Sequence, residues 1–321
     1  MQINTCLYCY KPLKEGQIDF HPACCKKIFS SKEVPVLDYS EDQMLELADQ
    51  VIKSQIAVTG VQPKLSLEIA KNPEDQKERR FTIVGLWGGY ILKPPTKQFP
   101  SLPELEDLTM NMASLSKIAT VPHSLIRLNN DKLAYITKRI DRVKGKKIHM
   151  EDMCQLTERL TEFKYRGSYE QIGKAIQKYS SNPGLDLINF FEQVLFSFLT
   201  GNADMHLKNF SLINNPTLGY VLTPAYDMLS TALVMEDDDE DLALTLNAKK
   251  KRIKRKDFIS AFDLFEIPDK TQNNVFTKFE KTIPSWFEMI EMSFLPSEMK
   301  EAYVELIQDR ANRLDLKTIA S

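Results

Sequence analysis

Short apolar runs alternate with polar residues through the first half of the chain, and this alternation predicts strands. The runs lie at residues 63–69, 81–84, 90–93, 124–128 and 132–137. Between the third and fourth runs, apolar residues recur at the spacing of one helix face: Leu105, Leu108, Met112 and Leu115. Ser40 and Gln43 fit a capping box that starts an earlier helix, which would end near Ser54. Residues 45–145 are therefore predicted to form a small lobe in which one helix crosses a mostly antiparallel sheet.

The second half of the chain changes to helical periodicity from residue 151. Apolar residues cover most of the circumference of a predicted helix at 187–199, as expected of a helix buried at the centre of a lobe. Strand-like runs at 210–213 and 220–223 predict a hairpin, and helical periodicity with proline breaks returns at 257–320. These patterns predict an α+β fold with two lobes, of which the second is mostly helical. We expect three regions: a Cys/His-rich unit at 1–34, the first lobe at 35–145 and the second lobe at 146–321.

Composition excludes some classes of function. The 321 residues are 43% hydrophobic and 27% charged, as in an ordinary globular protein. The net charge of −2 provides no overall attraction to nucleic acid. No apolar run reaches the roughly 18 residues that cross a bilayer, and four cysteines lie where a signal peptide would be. We therefore expect a cytoplasmic protein.

The sequence Gly-Asn-Ala-Asp-Met-His-Leu-Lys-Asn at 201–209 carries the clearest chemistry. Asp204 precedes Asn209 by the spacing found in kinase catalytic loops of the H-R-D-x-x-x-x-N type. In those loops the aspartate orients the acceptor hydroxyl and the asparagine binds Mg²⁺. Asp227 follows the predicted hairpin, where a kinase has its second metal-binding aspartate. An Asp-x₄-Asn spacing alone is usually a surface coincidence, so the prediction depends on the rest of the chain.

Two segments of the first lobe complete the kinase order. Lys93 ends a predicted strand, where a kinase has the lysine that binds the α- and β-phosphates, and Glu106 lies early in the next helix, where it could pair with Lys93. Residues 58–64 could cover the phosphates, because Gly60 allows close approach of the backbone and Lys64 adds charge. Each feature alone also fits a solvated strand end, a helix-start acid or a surface loop. Their occurrence in kinase order predicts a phosphoryl-transfer enzyme.

The chain also resembles a known family. Six strings of residues are similar to those of the HipA family, bacterial serine/threonine kinases that act as toxins of toxin–antitoxin modules. They are Gly60-Val-Gln-Pro-Lys-Leu65, Ile91-Leu-Lys-Pro94, Lys138-Arg-Ile-Asp-Arg142, Glu151-Asp-Met-Cys-Gln155, the loop at 201–210 and Leu222-Thr-Pro-Ala-Tyr-Asp227. The similarity extends over about residues 55–315. It implies a two-lobe protein-kinase-like (HipA-like) fold that uses ATP with Mg²⁺.

The resemblance implies roles for individual residues. Asp204 would be the catalytic base, Asn209 and Asp227 would bind Mg²⁺, and Lys93 would bind nucleotide. Further nucleotide contacts would come from the phosphate-covering loop, the adenine-contacting hinge and the catalytic loop: Thr59, Gly60, Val61, Gln62, Lys64, Lys138, Ile140 and Lys208. We expect His206 to be structural, and a nucleotide contact is the alternative.

The chain departs from the family pattern at two points. We expect it to lack the small subdomain with which full-length HipA kinases begin, so it resembles the short HipT-like kinases, in which that subdomain is a separate HipS-like protein. Family members phosphorylate a serine three residues before the loop glycine or directly before it, and here Ala57 and Thr59 occupy those positions. Thr59 is therefore the candidate autophosphorylation site, where a phosphate would add about two negative charges against incoming ATP.

The resemblance also implies partners. The substrate would be a translation component such as an aminoacyl-tRNA synthetase, and small antitoxins would bind the kinase: a HipB-like DNA-binding protein, a HipS-like protein, or both. DNA contact would then be indirect. The main alternative is a nucleotide-binding pseudokinase or co-repressor subunit that acts through an antitoxin–DNA complex. Phosphorylation of a small molecule or lipid is a third possibility.

Four cysteine and histidine residues near the N-terminus have the spacing of a tetrahedral zinc site. They form two pairs, Cys6-x₂-Cys9 and His21-x₂-Cys24. Because residues 1–34 contain few core-forming side chains, a structural Zn²⁺ would help them to fold. A reduced, metal-free segment with buried thiols is the alternative, and Cys25 could replace Cys24 as a ligand.

A basic run at 249–256 suggests contact with nucleic acid. An acidic run at 236–241 lies just before it and is predicted to be an exposed loop. Compensation of the basic run by these acids, on a solvated face, is the simpler explanation.

Overall fold

The computed structural model describes residues 4–40, 42–44, 46–47, 64–71, 79–84, 88–143, 145–235 and 239–317. These residues belong to two units. The first contains those within 1–107, 121–147 and 292–294, and the second contains those within 108–120, 148–291 and 295–321. In the described part of the chain, no helix combines the length and the apolar character that crossing a membrane requires.

A five-stranded antiparallel sheet forms the centre of the first unit. Its strands are β1 (Leu65–Lys71), β2 (Arg79–Ile83), β3 (Tyr90–Lys93), β4 (His123–Arg127) and β5 (Leu133–Lys138). They lie in the order β2-β1-β3-β5-β4, and each neighbouring pair is antiparallel. The two-residue strands β6 (Arg142–Val143) and β7 (Lys146–Lys147) pair with each other. The antiparallel sheet predicted from the alternating pattern is confirmed.

The Cys/His-rich segment packs into the same hydrophobic core as the sheet. Helix α1 (Pro22–Phe29) begins with a proline, whose fixed φ suits the first helical position, and it buries Phe29. The ring of Phe29 lies 5.7 Å from that of Phe81 in β2. The Tyr90 hydroxyl donates a 3.1 Å hydrogen bond to the carbonyl of Ile28. The predicted boundary between residues 34 and 35 therefore falls within one hydrophobic core.

Two helix predictions in this half of the chain have different outcomes. The capping box is confirmed, because Ser40 Oγ accepts from the Gln43 N–H at 3.3 Å and Gln43 Oε1 accepts from the Ser40 N–H at 2.8 Å. The predicted end of that helix, near Ser54, lies outside the described residues. Helix α2 (Leu102–Leu115) buries the predicted apolar face as far as Met112, but Leu115 is 40% exposed. Leu115 is the last helical residue, and the chain turns away two residues later at Lys117 (φ 58°).

The second unit is mostly helical. Its helices are α3 (Met153–Leu156), α4 (Tyr169–Tyr179), α5 (Pro183–Leu199), α6 (Arg255–Leu264), α7 (Asp269–Met292) and α8 (Ser297–Arg313). The predicted hairpin consists of β9 (Ser211–Asn215) and β10 (Gly219–Leu222), and the short strand β8 (Met150–Asp152), which the sequence pattern did not indicate, pairs with β9. Helix α5 is buried around most of its circumference, as predicted. This helix leads directly into the loop at 201–209.

Two predictions for the second unit are wrong in part. Pro284 lies inside α7 instead of ending a helix, because the fully buried Ile283 and Trp286 on either side of it pack into the core. Asp241, the last residue of the acidic run, is only 5% exposed. It accepts hydrogen bonds from the guanidinium groups of Arg310 and Arg313. These two arginines come from α8, so the local sequence gave no sign of their contact with Asp241.

The pairing of the basic run with nearby acids is confirmed among the described residues. Lys249 Nζ lies 2.7 Å from Asp257 Oδ1, Lys250 Nζ lies 3.0 Å from Glu240 Oε2, and Lys251 pairs with Asp239. Because each of these lysines has a carboxylate partner, the run offers less unbalanced positive charge than its sequence suggests.

Glu104, in the first turn of α2, is a half-buried acid whose protonation should affect stability. Its Oε2 atom has no hydrogen-bond partner among the described residues. Burial raises the pKa of Glu104 to about 7, and the nearby Asp107 carboxylate acts in the same direction. The positive charge of Lys132 lowers the pKa but does not outweigh them. The folded protein therefore binds this proton more tightly than the unfolded chain, so folding is penalised as pH rises from about 4.5 to about 7.

We predict that Glu104→Gln stabilises the protein at pH 8 but not at pH 4.5. The uncharged amide removes the cost of burying the carboxylate, which we put at about 1–3 kcal/mol because the side chain is partly open to solvent. Urea unfolding at several pH values measures the difference, and the exposed Glu301→Gln is the matched control. Equal pH dependence of the unfolding free energy in both variants would contradict the prediction.

Candidate functional site

The loop at 201–209 begins at a glycine that no other residue can replace without strain. Gly201 follows Thr200, the C-cap of α5, and has a φ of 65°, in the left-handed region that favours glycine. A Cβ atom at this position would lie 2.6 Å from Leu306 Cδ2 and 3.0 Å from the Cβ of Ala232. Both the backbone conformation and the available space therefore require glycine where the buried helix turns into the loop.

Hydrogen bonds from Thr231 and Asn202 hold the first half of the loop. Thr231 Oγ1 accepts from the Ala203 N–H at 2.9 Å and donates to the Gly201 carbonyl at 3.3 Å. Asn202 Oδ1 accepts from the Asp204 N–H at 3.1 Å. The backbone on both sides of Asp204 is thus fixed, while the Asp204 side chain is exposed.

His206 and Asn209 close a short helical turn at Leu207–Asn209. The Nδ1 atom of His206 accepts from the Lys208 N–H at 3.3 Å, and Asn209 Oδ1 accepts from the His206 N–H at 3.2 Å. His206 is 6% exposed. This capping role for a buried histidine agrees with the structural role that we expected.

The other end of the Asn209 carboxamide contacts the second predicted metal ligand. Asn209 Nδ2 donates to Asp227 Oδ2 at 3.3 Å. Asp227 has a φ of 61°, which is unusual for a residue other than glycine and marks a constrained backbone. Tyr226, the residue before Asp227, is fixed against the loop because its hydroxyl donates to the Lys208 carbonyl at 3.0 Å. The Asn209 carboxamide and the Asp227 carboxylate, which are 18 positions apart in the chain, are thus in direct contact.

Tyr165 contacts Asp204 and was not predicted from the sequence. Its hydroxyl donates a hydrogen bond to Asp204 Oδ1, and its ring lies edge-on to His206 with centroids 4.9 Å apart. Tyr165 is 42% exposed. Nothing in the sequence around residue 165 indicates this contact, which spans 39 residues.

Lys208 lies against the second specific string of the sequence, Glu151-Asp-Met-Cys-Gln155. Its Nζ atom is 2.8 Å from Asp152 Oδ2. The other carboxylate oxygen of Asp152 accepts from the Gln155 N–H at 3.0 Å, which caps α3. Asp152 therefore joins a helix start to the loop, so the two most specific strings of the chain are in direct contact.

The first unit holds a buried ion pair between Lys93 and Glu106. Lys93 Nζ lies 2.5 Å from Glu106 Oε1, and the two side chains are 5% and 1% exposed. The amine also lies 5.4 Å from the centre of the Tyr135 ring. Lys93 ends β3 and Glu106 is in the second turn of α2, as predicted for a strand lysine and a helix glutamate.

The remaining predicted nucleotide contacts are less well defined. Thr59, Gly60, Val61 and Gln62 lie outside the described residues. Lys64 is exposed and comes directly before β1. Lys138 ends β5 and donates its N–H to the Pro122 carbonyl at 2.8 Å, and Ile140 follows on a partly buried loop.

The four predicted zinc ligands are together. One ligand atom from each of Cys6, Cys9, His21 and Cys24 lies within 4.8 Å of the others. His21 Nδ1 is 3.4 Å from Cys9 Sγ and 3.8 Å from Cys24 Sγ. In a tetrahedral zinc site, bond lengths of about 2.0–2.3 Å separate neighbouring ligand atoms by about 3.5–3.8 Å. The spacing is therefore close to that of a closed, structural zinc site.

The proton position on His21 also suits a metal. Its Nε2 atom lies 3.0 Å from the Pro12 carbonyl oxygen, which can only accept, so Nε2 carries the proton and Nδ1 presents a lone pair to the thiols. Burial and the neighbouring Cys6 and Cys9 raise the pKa of the Cys24 thiol to about 12. Cys25 does not belong to this four-residue group.

Comparison with known proteins identifies relatives of this chain. The model of the HipA-like C-terminal domain family matches residues 56–287. "Putative kinase Y4dM" of Sinorhizobium fredii is 33% identical over 252 residues, 74% of this chain and 57% of the relative. The serine/threonine-protein kinase toxin HipA of Shewanella oneidensis is 27% identical over 215 residues, 61% of this chain and 47% of the relative. The chain thus spans about half the length of these two curated relatives.

Two solved structures have a similar fold. A chain of the Shewanella oneidensis MR-1 complex of HipA, HipB and operator DNA has a TM-score of 0.66 at 22% identity, and the match covers 84% of this chain and 71% of that one. The Helicobacter pylori proinflammatory kinase CtkA has a TM-score of 0.54 at 16% identity, with coverage of 78% and 94%. The predicted α+β, protein-kinase-like fold is confirmed.

We predict that Gly201→Ala destabilises the protein by about 2–4 kcal/mol. About 1–2 kcal/mol comes from the left-handed backbone, and the rest comes from the overlap with Leu306. Gly184→Ala is the control, because Gly184 lies in the first turn of α5 with no atom within 4 Å of an added Cβ, so we expect no loss. Urea unfolding of both variants measures the difference. Similar unfolding midpoints for the two variants would show that the constraint at Gly201 is weak.

Proposed function

Because the chain belongs to the HipA-like C-terminal domain family, we propose that it is an ATP- and Mg²⁺-dependent serine/threonine protein kinase and the toxin of a bacterial toxin–antitoxin module. The observation that carries this proposal is the contact between Asn209 and Asp227, because Asn209 lies on the same short loop as Asp204. In kinases these three positions bind metal and orient the acceptor hydroxyl.

Asp204 is the proposed catalytic base. Its carboxylate is exposed and already accepts a hydrogen bond from one hydroxyl, that of Tyr165. In the reaction, the hydroxyl of a substrate serine or threonine donates to Asp204 instead. Its proton passes to the carboxylate as its oxygen bonds to the γ-phosphorus, and the bond to the bridging oxygen breaks to release ADP.

Asn209 and Asp227 are the proposed Mg²⁺ ligands. Their donors are a carboxamide oxygen and a carboxylate, the oxygen types that Mg²⁺ prefers, and the two side chains are in contact. When bound, the ion would neutralise charge that develops on the phosphates. Lys208 was first considered as a phosphate contact. Because its amine pairs with Asp152, we now favour a role in holding the loop in place.

The nucleotide would be held mainly by the first unit. Lys93, oriented by Glu106, would bind the α- and β-phosphates, and the backbone around Lys138 and Ile140 would contact adenine. Thr59, Gly60, Val61, Gln62 and Lys64 would cover the phosphates. We assign residues 35–145, packed on the Cys/His-rich unit at 1–34, to the first lobe and residues 146–321 to the second.

The proposed partners follow from the family. The solved Shewanella complex contains HipB and operator DNA together with HipA, which supports a HipB-like antitoxin as a partner here. A HipS-like protein, an aminoacyl-tRNA synthetase as substrate, and action in the cytoplasm are further parts of the proposal. The rival function is a pseudokinase or co-repressor subunit. Retention of Asp204, Asn209, Asp227 and Lys93 favours the kinase, because a pseudokinase has usually lost at least one of these groups.

We also propose that Cys6, Cys9, His21 and Cys24 bind a structural Zn²⁺. Three sulfur atoms and one nitrogen at near-tetrahedral spacing form a closed ligand set, with no position left for a reacting water.

Metal analysis tests this site. In protein purified without chelator we expect about one zinc ion per chain, and Cys24→Ala should abolish binding. Cys25→Ala removes the adjacent thiol, which is outside the group, and should retain the metal. Absence of zinc from the unmodified protein would refute the site. Loss of zinc in Cys25→Ala but not in Cys24→Ala would show that Cys25, and not Cys24, is the fourth ligand.

Asp204→Asn tests the kinase. With labelled ATP and a ribosome-free bacterial lysate, the unmodified protein should transfer phosphate to protein. In the variant, the rate of phosphate transfer should fall by at least about 100-fold, because asparagine cannot accept the proton. The variant should still bind nucleotide. Asp309→Asn changes an exposed acid on α8 and should leave the rate unchanged.

The products of this assay separate the alternatives. Label on a protein that depends on Asp204 supports the kinase, label on a lipid or small molecule supports the third possibility, and no transfer at all supports the co-repressor. Mapping of label on the kinase itself tests Thr59. If Thr59→Ala incorporates as much label into the kinase as the unmodified chain, Thr59 is not the autophosphorylation site.

A further inference from the structure

Tyr10 is fixed by the same turn that presents Cys6 and Cys9. It directly follows Cys9, its N–H donates to the Cys6 carbonyl at 3.0 Å, and its φ is 60°. Its ring packs edge-on against Phe294 with centroids 5.2 Å apart, and it is 2% exposed. The position of the Tyr10 hydroxyl therefore depends on the geometry of the Cys6–Cys9 turn.

The Tyr10 hydroxyl contacts a fully buried carboxylate. It donates to Asp107 Oδ2 at 2.7 Å, and His123 Nδ1 lies 2.8 Å from Asp107 Oδ1. Asp107 is 0% exposed. A buried carboxylate needs hydrogen bonds to both oxygens, because its desolvation is otherwise costly. Tyr10 therefore contributes a hydrogen bond to one oxygen of Asp107, and His123 contacts the other.

Asp107 is joined to the ion pair by two routes. It directly follows Glu106 in α2, so a movement of Asp107 moves the backbone that carries Glu106. The His123 ring also stacks on the Tyr135 ring with centroids 5.9 Å apart, and Tyr135 lies below the Lys93 amine. Asp107 is thus connected to Glu106 through the helix backbone and to Lys93 through the stacked rings of His123 and Tyr135.

Other contacts fix the Cys/His-rich segment to the sheet beside this network. Ser124 Oγ donates to the Leu7 carbonyl at 3.1 Å, and Arg127 binds both carboxylate oxygens of Asp19 at 3.1 and 3.2 Å. The segment is therefore fixed to β4 and α2 by several hydrogen bonds. A change in the conformation of the Cys6–Cys9 turn would for that reason shift the residues of β4 and α2 that it contacts.

We infer that Tyr10 and Asp107 form a positioning relay that links metal binding at Cys6, Cys9, His21 and Cys24 to the Lys93–Glu106 ion pair, and so to nucleotide affinity. This inference rests on the proposed function, since it assigns nucleotide binding to Lys93. Neither relay residue touches the nucleotide. With the metal bound, the turn holds Tyr10 on Asp107 and α2 keeps Glu106 against Lys93. Without the metal, this restraint is lost and the nucleotide binds more weakly.

Tyr10→Phe tests the relay in the full-length, zinc-loaded protein. The variant keeps the ring that packs on Phe294 and removes only the hydroxyl. We expect its Kd for the Mg²⁺ complex of a non-hydrolysable ATP analogue to rise about three- to tenfold, because one hydrogen bond to a buried charge is lost. Its zinc content should stay unchanged. Tyr39→Phe removes the hydroxyl of a partly buried tyrosine that packs on the same hydrophobic core, and it should bind the analogue normally.

Removal of the metal gives the second arm. A chelator should weaken analogue binding in the unmodified protein but change it much less in Tyr10→Phe, because the two perturbations break the same connection. If the chelator unfolds the protein, as circular dichroism would reveal, the comparison of Tyr10→Phe with Tyr39→Phe decides alone. Unaltered affinity in zinc-loaded Tyr10→Phe would overturn the relay only. Failure of the unmodified, zinc-loaded protein to bind the analogue would overturn the proposed function as well.

Discussion

The Asn209 carboxamide is the group on which the candidate catalytic loop depends. Its oxygen caps the turn by accepting from the His206 N–H, and its amino group donates to the Asp227 carboxylate. Aspartate at this position would keep the cap but would bring a second negative charge against Asp227. Leucine would keep the approximate size and lose both bonds. Only a carboxamide of this length has an acceptor and a donor at the required places, and asparagine also offers an oxygen to a metal ion.

Burial of charge follows a common logic in both units. The ion pairs of Lys93 with Glu106 and of Asp241 with Arg310 are removed from water at a considerable desolvation cost, while Arg313 adds a partly exposed charge. Burial acts to raise the pKa of Asp241, but the hydrogen bond from Arg313, the Ile253 N–H and the two arginine charges outweigh it, so the pKa is lowered. Such pairs contribute more to fixing one geometry than to net stability. That property suits the Lys93–Glu106 pair, whose role is to hold an amine at a set position.

The parts of the structure that were predicted from sequence are those with local causes. Alternation of apolar residues located the five strands, and the capping box came from residues three apart. The spacing of Asp204 and Asn209 marked the loop at 201–209 as the candidate site. The contacts that were missed join distant positions: Tyr165 to Asp204 across 39 residues, Tyr10 to Asp107 across 97 and Arg310 to Asp241 across 69. Nothing in one sequence records such pairs, because each member looks like an ordinary surface or core residue until the chain is folded.

The Cys/His-rich segment is better understood as part of the first unit than as an appended module. An appended module would have its own core and few contacts across its boundary. Here Phe29 completes an aromatic cluster with Phe81 and Tyr90 of the sheet, and the Cys6–Cys9 turn ends at a tyrosine that satisfies a buried carboxylate of α2. A site that holds its ligands at zinc spacing is thus connected to the lysine of the proposed nucleotide site by contacts between neighbours. Loss of the proposed zinc ion would therefore disturb the shared core and the ion pair together, instead of releasing a separate domain.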